Sequence, residues 1–189
     1  MIKSLLLVGV GGQGTILTSK ILSEGLVQLG YDLKMSEIHG MAQRGGSVTT
    51  QIRYGEKVYS PCIGAGEADL LVAFEKVEAV RYLASLKKGG ALIVNDHEIY
   101  SLPVLTGAAA YPENLGPRLA ELVPGLKLLN ANQIAAGLGN AKAQNVVILG
   151  LIVKTLGLEK HDWPGVIRQF VPEKLHGLNL AAFDKGLSA

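Results

Sequence analysis

A short run near the N-terminus has the residue types and spacing of an anion-binding turn. Gly9, Gly11 and Gly14 fit the G-x-G-x-x-G pattern. Such glycines permit a tight turn, give a ligand access to the backbone and let a helix pack closely on a strand. The amide groups at the start of that helix would then face an anion such as a phosphate. The candidate binding residues are Gly9, Gly11, Gly12, Gln13, Gly14 and Thr15. A purely structural reading is that the glycines serve only the turn and its packing.

A second run of polar side chains and glycines follows between positions 37 and 46. The Arg44 guanidinium is suited to present a fork of donors to a carboxylate or phosphate, and His39 is suited to binding or proton transfer. These two residues are the catalytic candidates, although each could equally be a surface or interface side chain. The full set of crevice candidates is Glu37, His39, Gly40, Met41, Gln43, Arg44, Gly45 and Gly46.

The elements around these two runs predict that they meet. The apolar segment Leu5–Val8 is typical of a buried strand, and a helical pattern follows the glycine turn. The segment Asp32–Glu37 is typical of a second strand and ends at the second run. In an α/β sheet, ligands gather beyond the carboxyl ends of the strands. We therefore expect both runs to face one crevice.

The rest of the chain alternates between strand and helix patterns, which predicts a Rossmann-like, mostly parallel sheet with helices on both faces. We expect a single domain over residues 1–189, with a β-hairpin insertion after the second strand. Its strands would be Ser47–Tyr54 and Lys57–Ser60, joined at Gly55 and Glu56. A helix over Val77–Leu86 would end at Lys87–Gly90. Asp162 would cap a helix over Trp163–Phe170.

The composition excludes several classes of function. The chain has 189 residues and a net charge of +2, which gives no sign of binding to nucleic acid or to a membrane surface. One cysteine and four scattered histidines predict no metal site, no internal disulfide and no iron–sulfur cluster held by this chain alone. No signal peptide or membrane span is apparent, so we expect a cytoplasmic protein. The low charged fraction, 18%, fits either a surface hidden in a partner or a well-filled core.

Several segments together resemble the gamma-type subunits of the 2-oxoacid:ferredoxin oxidoreductases. The glycine motif alone is weak, but its pairing with the second run at this spacing is specific, and the resemblance covers nearly the whole chain. The segments that carry it are Gly9–Gly14, Glu37–Val48, Asn145–Gly150 and Val171–Lys174, together with Asn179, Ala182 and Phe183.

This resemblance implies an activity and a set of partners. The reaction would be the oxidative decarboxylation of an aryl 2-oxoacid such as indolepyruvate to an acyl-CoA, with reduction of ferredoxin. The chain itself would hold no cofactor and would help to bind coenzyme A or the substrate. A larger alpha subunit would carry thiamine diphosphate, Mg²⁺ and [4Fe–4S] clusters, and the assembly would be a dimer of heterodimers.

Other hypotheses remain at this point. The chain could be a gamma subunit that serves a pyruvate or branched-chain 2-oxoacid enzyme. Two hypotheses come from other classes: a stand-alone nucleotide-binding dehydrogenase and an assembly subunit without a ligand. The predicted hairpin and the lack of an obvious proton-transfer constellation count against the dehydrogenase, whereas the low charge content modestly favours the assembly subunit.

Overall fold

The computed structural model describes residues 2–39 and 45–189, which form a six-stranded sheet flanked by helices. The strands are β1 (Lys3–Val10), β2 (Asp32–His39), β3 (Ser47–Gly55), β4 (Ala68–Ala73), β5 (Leu86–Asn95) and β6 (Leu126–Leu129). The helices are α1 (Thr15–Gln28), α2 (Lys76–Tyr82), α3 (Leu102–Leu105), α4 (Leu115–Leu122), α5 (Ala131–Gly137), α6 (Gln144–Leu156), α7 (Trp163–Phe170) and α8 (His176–Ser188). No helix in these ranges is long and apolar enough to cross a membrane.

The sheet is mostly parallel, as predicted, with one reversed strand. The strand order is β2-β3-β1-β4-β5-β6. The strands β1, β4, β5 and β6 pair in parallel, whereas β3 is antiparallel to both of its neighbours. The central strand β1 therefore has an antiparallel partner on one side and a parallel partner on the other.

Alternate side chains of the sheet fill two apolar layers, one on each face. Leu5 and Leu7 of β1 belong to one core, and Leu6 and Val8 belong to the other. The first core is completed by α1, α6, α7 and α8, and the second by α2 and α4. The predicted placement of helices on both faces is confirmed.

The prediction of a strand over Lys57–Ser60 is wrong, because β3 pairs instead with β1 on one side and β2 on the other. Both edges of β3 are thereby occupied, so no edge is left for a return strand. The segment after β3 folds back over the start of β2, where Val58 N donates to Asp32 Oδ2 at 2.9 Å. Lys34 and this amide lower the pKa of Asp32 to about 2. The antiparallel strand is present, but its hairpin partner is β2.

Two details of the helix predictions have different outcomes. The predicted helix Val77–Leu86 ends at Tyr82 and continues as a 3-10 turn to Ser85. Lys87–Gly90, predicted to end that helix, lies in β5 at an irregularity in its pairing with β4. The helix Trp163–Phe170 is confirmed, and the Asp162 carboxylate accepts from Gly165 N at 3.0 Å, as expected of a cap.

The helices α6 and α8 pack with their backbones in direct contact. A Cβ atom at Gly186 of α8 would lie 1.9 Å from the Val147 carbonyl oxygen of α6. A Cβ atom at Gly150 of α6 would lie 2.3 Å from the Phe183 carbonyl oxygen of α8. The two glycines therefore set the distance between the helices and the position of the N-terminus of α6, which borders the site described next.

Candidate ligand-binding site at the glycine turn

The turn between β1 and α1 is held by the side chain of Gln13. Val10 N donates to Gln13 Oε1 at 2.7 Å, and Gln13 Nε2 donates to the Phe74 carbonyl oxygen at 2.7 Å. Gly12 and Gly14 have positive φ angles of 104° and 83°, which favour glycine. Because the Gln13 carboxamide is committed to the backbone, we assign Gln13 to the shape of the turn.

The glycines of the turn fall into two groups, one required by packing and one open to a ligand. A Cβ atom at Gly9 would lie 2.9 Å from Phe74 Cβ, and one at Gly14 would lie 2.8 Å from the Asn145 side chain. These two glycines are therefore required by packing. A Cβ atom at Gly12 would meet nothing within 4 Å, so the backbone there faces open space.

The second run lies against the glycine turn. Gly11 N donates to the Gly46 carbonyl oxygen at 2.8 Å, and Gly45 N donates to the Gly11 carbonyl oxygen at 3.4 Å. His39 ends β2 directly opposite Val48 of β3. The other crevice candidates of this run, Gly40, Met41, Gln43 and Arg44, lie outside the described residues.

A cavity of about 360 Å³ lies where the two runs meet. Glycine backbone, the Thr15 side chain and His39 all border it, so the structure brings residues from both runs together around one space. Its lining consists of Gly11, Gly12, Gly14, Thr15, Ile16, His39 and Val48.

The start of α1 borders this cavity and carries donors that are not used in the described residues. Thr15 is 3% exposed, and its Oγ1 has no hydrogen-bond partner among the described residues. No side chain caps α1, and its first turn contains no acidic residue. An unsatisfied buried hydroxyl is costly, and a helix N-terminus attracts negative charge. These features suit an anionic group bound beside Thr15.

Glu37 lies apart from the cavity. It pairs in register with Thr50 of β3, and Glu37 Oε1 and Thr50 Oγ1 are both buried without a partner among the described residues. A dinucleotide-binding domain uses an acid near this strand end to bind a ribose. The burial of Glu37 Oε1 and the presence of β3 in place of a crossover helix argue against that use.

A second cavity, of about 550 Å³, lies on the other side of the glycine turn. It borders Gly12 and Gly14 as well, so the turn separates two spaces. No sequence motif indicates this cavity, because its polar residues are far apart in the chain. The carboxamide side chains that line it, outside the turn itself, belong to Asn132, Asn140, Gln144, Asn145 and Asn179.

Other reactive groups lie elsewhere. Cys62 is exposed and free, and it lines neither cavity. Within residues 2–39 and 45–189, no three His, Cys, Asp or Glu side chains are grouped so that they could hold a metal ion. The chemistry of this region therefore consists of backbone amides, hydroxyls, carboxamides, the imidazole of His39 and the ammonium group of Lys142.

Known proteins are similar to this chain over nearly its full length. Residues 4–189 match the family described as pyruvate ferredoxin/flavodoxin oxidoreductase. A protein of Pyrococcus horikoshii named indolepyruvate oxidoreductase subunit IorB is 37% identical, over 98% of this chain and 95% of its own length. A protein of the same name from Methanothermobacter thermautotrophicus is 40% identical, over 96% and 94%.

A solved structure shares the fold. It is the gamma subunit of a keto/oxoacid ferredoxin oxidoreductase from Geobacter sulfurreducens. The TM-score is 0.75 at 24% sequence identity, over 100% of this chain and 95% of that one.

Proposed function

Because the chain belongs to the pyruvate ferredoxin/flavodoxin oxidoreductase family, we propose that it is a subunit of an indolepyruvate:ferredoxin oxidoreductase. The observation that carries this proposal is the 37–40% identity, over nearly full length, to relatives named for indolepyruvate oxidation. A gamma subunit of a pyruvate or branched-chain enzyme is less well supported, since the relatives at this identity are not named for those substrates.

The proposed reaction converts indolepyruvate, coenzyme A and two oxidised ferredoxins into indoleacetyl-CoA, carbon dioxide, a proton and two reduced ferredoxins. The bond between the carboxylate carbon and the keto carbon breaks, and the acyl carbon forms a bond to the thiol sulfur. The two electrons released pass singly to ferredoxin. Thiamine diphosphate with Mg²⁺ would supply the carbanion chemistry, and [4Fe–4S] clusters would carry the electrons. These groups would be bound by a larger alpha subunit.

The role of this chain in that reaction is to bind coenzyme A and to help close the active-site crevice. Gly12 lets the ligand approach the backbone, and the amides at the start of α1 face an anionic group of coenzyme A. Thr15 Oγ1 donates to the same group, which satisfies a hydroxyl that is otherwise unpartnered. His39 also lines this cavity, and we assign its imidazole a contact with the ligand.

The chain depends on its partner for catalysis. A cluster of this kind needs four thiolates, and the chain has one cysteine. We therefore place the [4Fe–4S] clusters in the alpha subunit, together with thiamine diphosphate. We further propose that the chain forms a single domain and assembles with that subunit as a dimer of heterodimers.

We expect the purified chain to be colourless and inactive, and to give indolepyruvate-dependent ferredoxin reduction only after co-purification with its large subunit. The measurement is reduction of ferredoxin or a viologen dye with indolepyruvate, phenylpyruvate, pyruvate and a branched-chain 2-oxoacid. The proposal requires the highest kcat/KM for indolepyruvate. Turnover by the chain alone, or a clear preference for pyruvate, would contradict it.

Thr15→Val tests the role of the cavity at the start of α1. We expect the KM for coenzyme A to rise about tenfold in the assembled enzyme, because valine keeps the shape but loses a hydrogen bond to a charged group. The melting temperature should not fall, since the hydroxyl has no partner among the described residues.

Thr50→Val is the matched control for this experiment. Thr50 is also fully buried with an unpartnered hydroxyl, but it does not line the cavity. It should leave the KM for coenzyme A unchanged. Equal KM values for coenzyme A in both variants would show that the Thr15 hydroxyl does not contact the ligand.

A further inference from the structure

We propose that the second cavity is a binding site for the adenine base of a nucleotide whose phosphates lie at the start of α1. We call this cavity the amide cleft, after its carboxamide lining, Asn132, Asn140, Gln144, Asn145 and Asn179. The inference deepens the proposed function and rests on it for the anion at Thr15. The nucleotide could be free or could be the adenosine phosphate half of coenzyme A, because both carry the same chemistry.

Three buried carboxamides in the cleft keep hydrogen-bonding groups unused by the described residues. Asn145 is 4% exposed, and its side chain makes no hydrogen bond there. Gln144 Oε1 accepts from Asn95, which leaves Nε2 free, and Asn179 Nδ2 donates to the Leu175 carbonyl oxygen, which leaves Oδ1 free. These residues are more than nine-tenths buried, but their free donors and acceptors still reach the open space of the cleft, so they are available to a ligand there.

An internal network fixes the orientation of this lining. Asn95 is fully buried, and its Nδ2 donates to Asn132 Oδ1 at 2.8 Å and to Gln144 Oε1 at 3.1 Å. Asn95 Oδ1 accepts from Ala131 N at 2.9 Å. Asn132 and Gln144 are therefore held in place before a ligand arrives, which favours recognition of a rigid group with a fixed pattern of donors and acceptors.

The charge and the apolar surfaces of the cleft indicate which chemical class of ligand it binds. Lys142 is the one charged side chain in its lining, which contains no carboxylate among the described residues. Apolar groups, including the Phe170 ring and Leu178, offer faces for a flat base. A carboxamide pairs with two neighbouring groups on the edge of adenine, a donor and an acceptor. Apart from Lys142 the lining is uncharged, which matches a neutral aminopurine, and Lys142 favours a phosphate of the same nucleotide.

The positions of two helices connect the base to its phosphates. The cleft shares Gly12 and Gly14 with the Thr15 cavity, so one molecule can pass over the turn. Helix α6 begins at the cleft, and Thr18 Oγ1 of α1 donates to the Asn145 carbonyl oxygen at 3.1 Å, which joins the two helix starts. Neither helix has an acidic residue in its first turn. Because the Asn145 side chain packs on Gly14, both helix dipoles favour negative charge at the glycine turn, where we place the phosphates.

The test is isothermal titration of the purified full chain with ADP, GDP, coenzyme A, phosphopantetheine and inorganic phosphate. We expect ADP and coenzyme A to bind and GDP to bind at least about fivefold more weakly, which is the lower range of discrimination by a carboxamide. Asn145→Leu should weaken ADP and coenzyme A at least about fivefold and should leave phosphate unchanged. Gln133→Leu, an exposed carboxamide of α5 outside the cleft, is the control.

The outcomes separate this inference from the proposed function. Equal binding of ADP and GDP, or Asn145-dependent binding of phosphopantetheine without binding of ADP, overturns the adenine site. If Asn145→Leu leaves ADP binding unchanged while Thr15→Val raises the KM for coenzyme A, the inference fails and the proposed function stands. Asn145→Asp keeps the size of the side chain, so its ADP affinity can be measured if the leucine variant does not fold. Its added negative charge should weaken ADP binding.

Discussion

Gly186→Ala should destabilise the protein by about 3 kcal/mol, the largest loss that we expect from a single added methyl group in this chain. The new Cβ atom would lie 1.9 Å from the Val147 carbonyl oxygen and 3.0 Å from Gly150 Cα, so backbone rather than a flexible side chain is in the way. Alanine favours a helix over glycine by about 1 kcal/mol. The clash exceeds that gain because α6 and α8 must move apart.

Gly177→Ala separates the clash from the helix propensity. Gly177 lies in the first turn of the same helix, and an added Cβ atom would meet nothing within 4 Å. This variant should be neutral or slightly more stable than the wild type. Urea unfolding of both variants gives the comparison. Equal stability of Gly186→Ala and Gly177→Ala would contradict the direct backbone packing of the two helices.

Gln13→Glu should be the most damaging isosteric change at the glycine turn, with a loss of about 3 kcal/mol at pH 7. The new carboxylate can still accept from Val10 N. It replaces the donor to the Phe74 carbonyl oxygen with a second acceptor. It also buries a negative charge, since residue 13 is only 5% exposed. Binding of coenzyme A should fall as well, because the turn shapes both cavities.

The pH dependence of this variant identifies the cause. Once protonated, the introduced carboxyl group would donate to the Phe74 carbonyl oxygen again, and burial raises the pKa of a carboxyl group. The folded state thus binds the proton more tightly than the unfolded state, so the difference from the wild type should shrink as the pH falls. Gln133→Glu, at an exposed site, should show no such recovery. Thermal unfolding at pH 7 and at about pH 4.5, near the ordinary pKa of a glutamate, measures both.

The features that the sequence predicted well are local. The strand, the turn and the helix from Leu5 onward follow from hydrophobic period and glycine spacing within one short segment. The prediction for Lys57–Ser60 failed because pairing depends on competition between distant strands. β1 and β2 occupy both edges of β3, and nothing in the segment itself records that outcome.

In the candidate site, too, the sequence predicted local features and not those that depend on tertiary packing. Gln13 and Thr15 were equivalent in the sequence, as two polar residues beside glycines. The structure separates them, because the Gln13 carboxamide bonds to the backbone and the Thr15 hydroxyl has no partner among the described residues. The amide cleft was missed because Asn132, Asn145 and Asn179 lie in three different helices, and only tertiary packing brings them to one space.

The reversed strand β3 also determines the order in which the sheet can form. Its pairing with β2 is local, since Ile38 lies opposite Thr49. The central strand β1, in contrast, finds its partners far along the chain, with Leu5 opposite both Ile52 and Leu70. Closing long loops is slow, so the β2–β3 hairpin should form first and then dock on β1. Substitutions between these two strands will therefore alter the refolding rate as well as ligand affinity, and the two effects have to be measured separately.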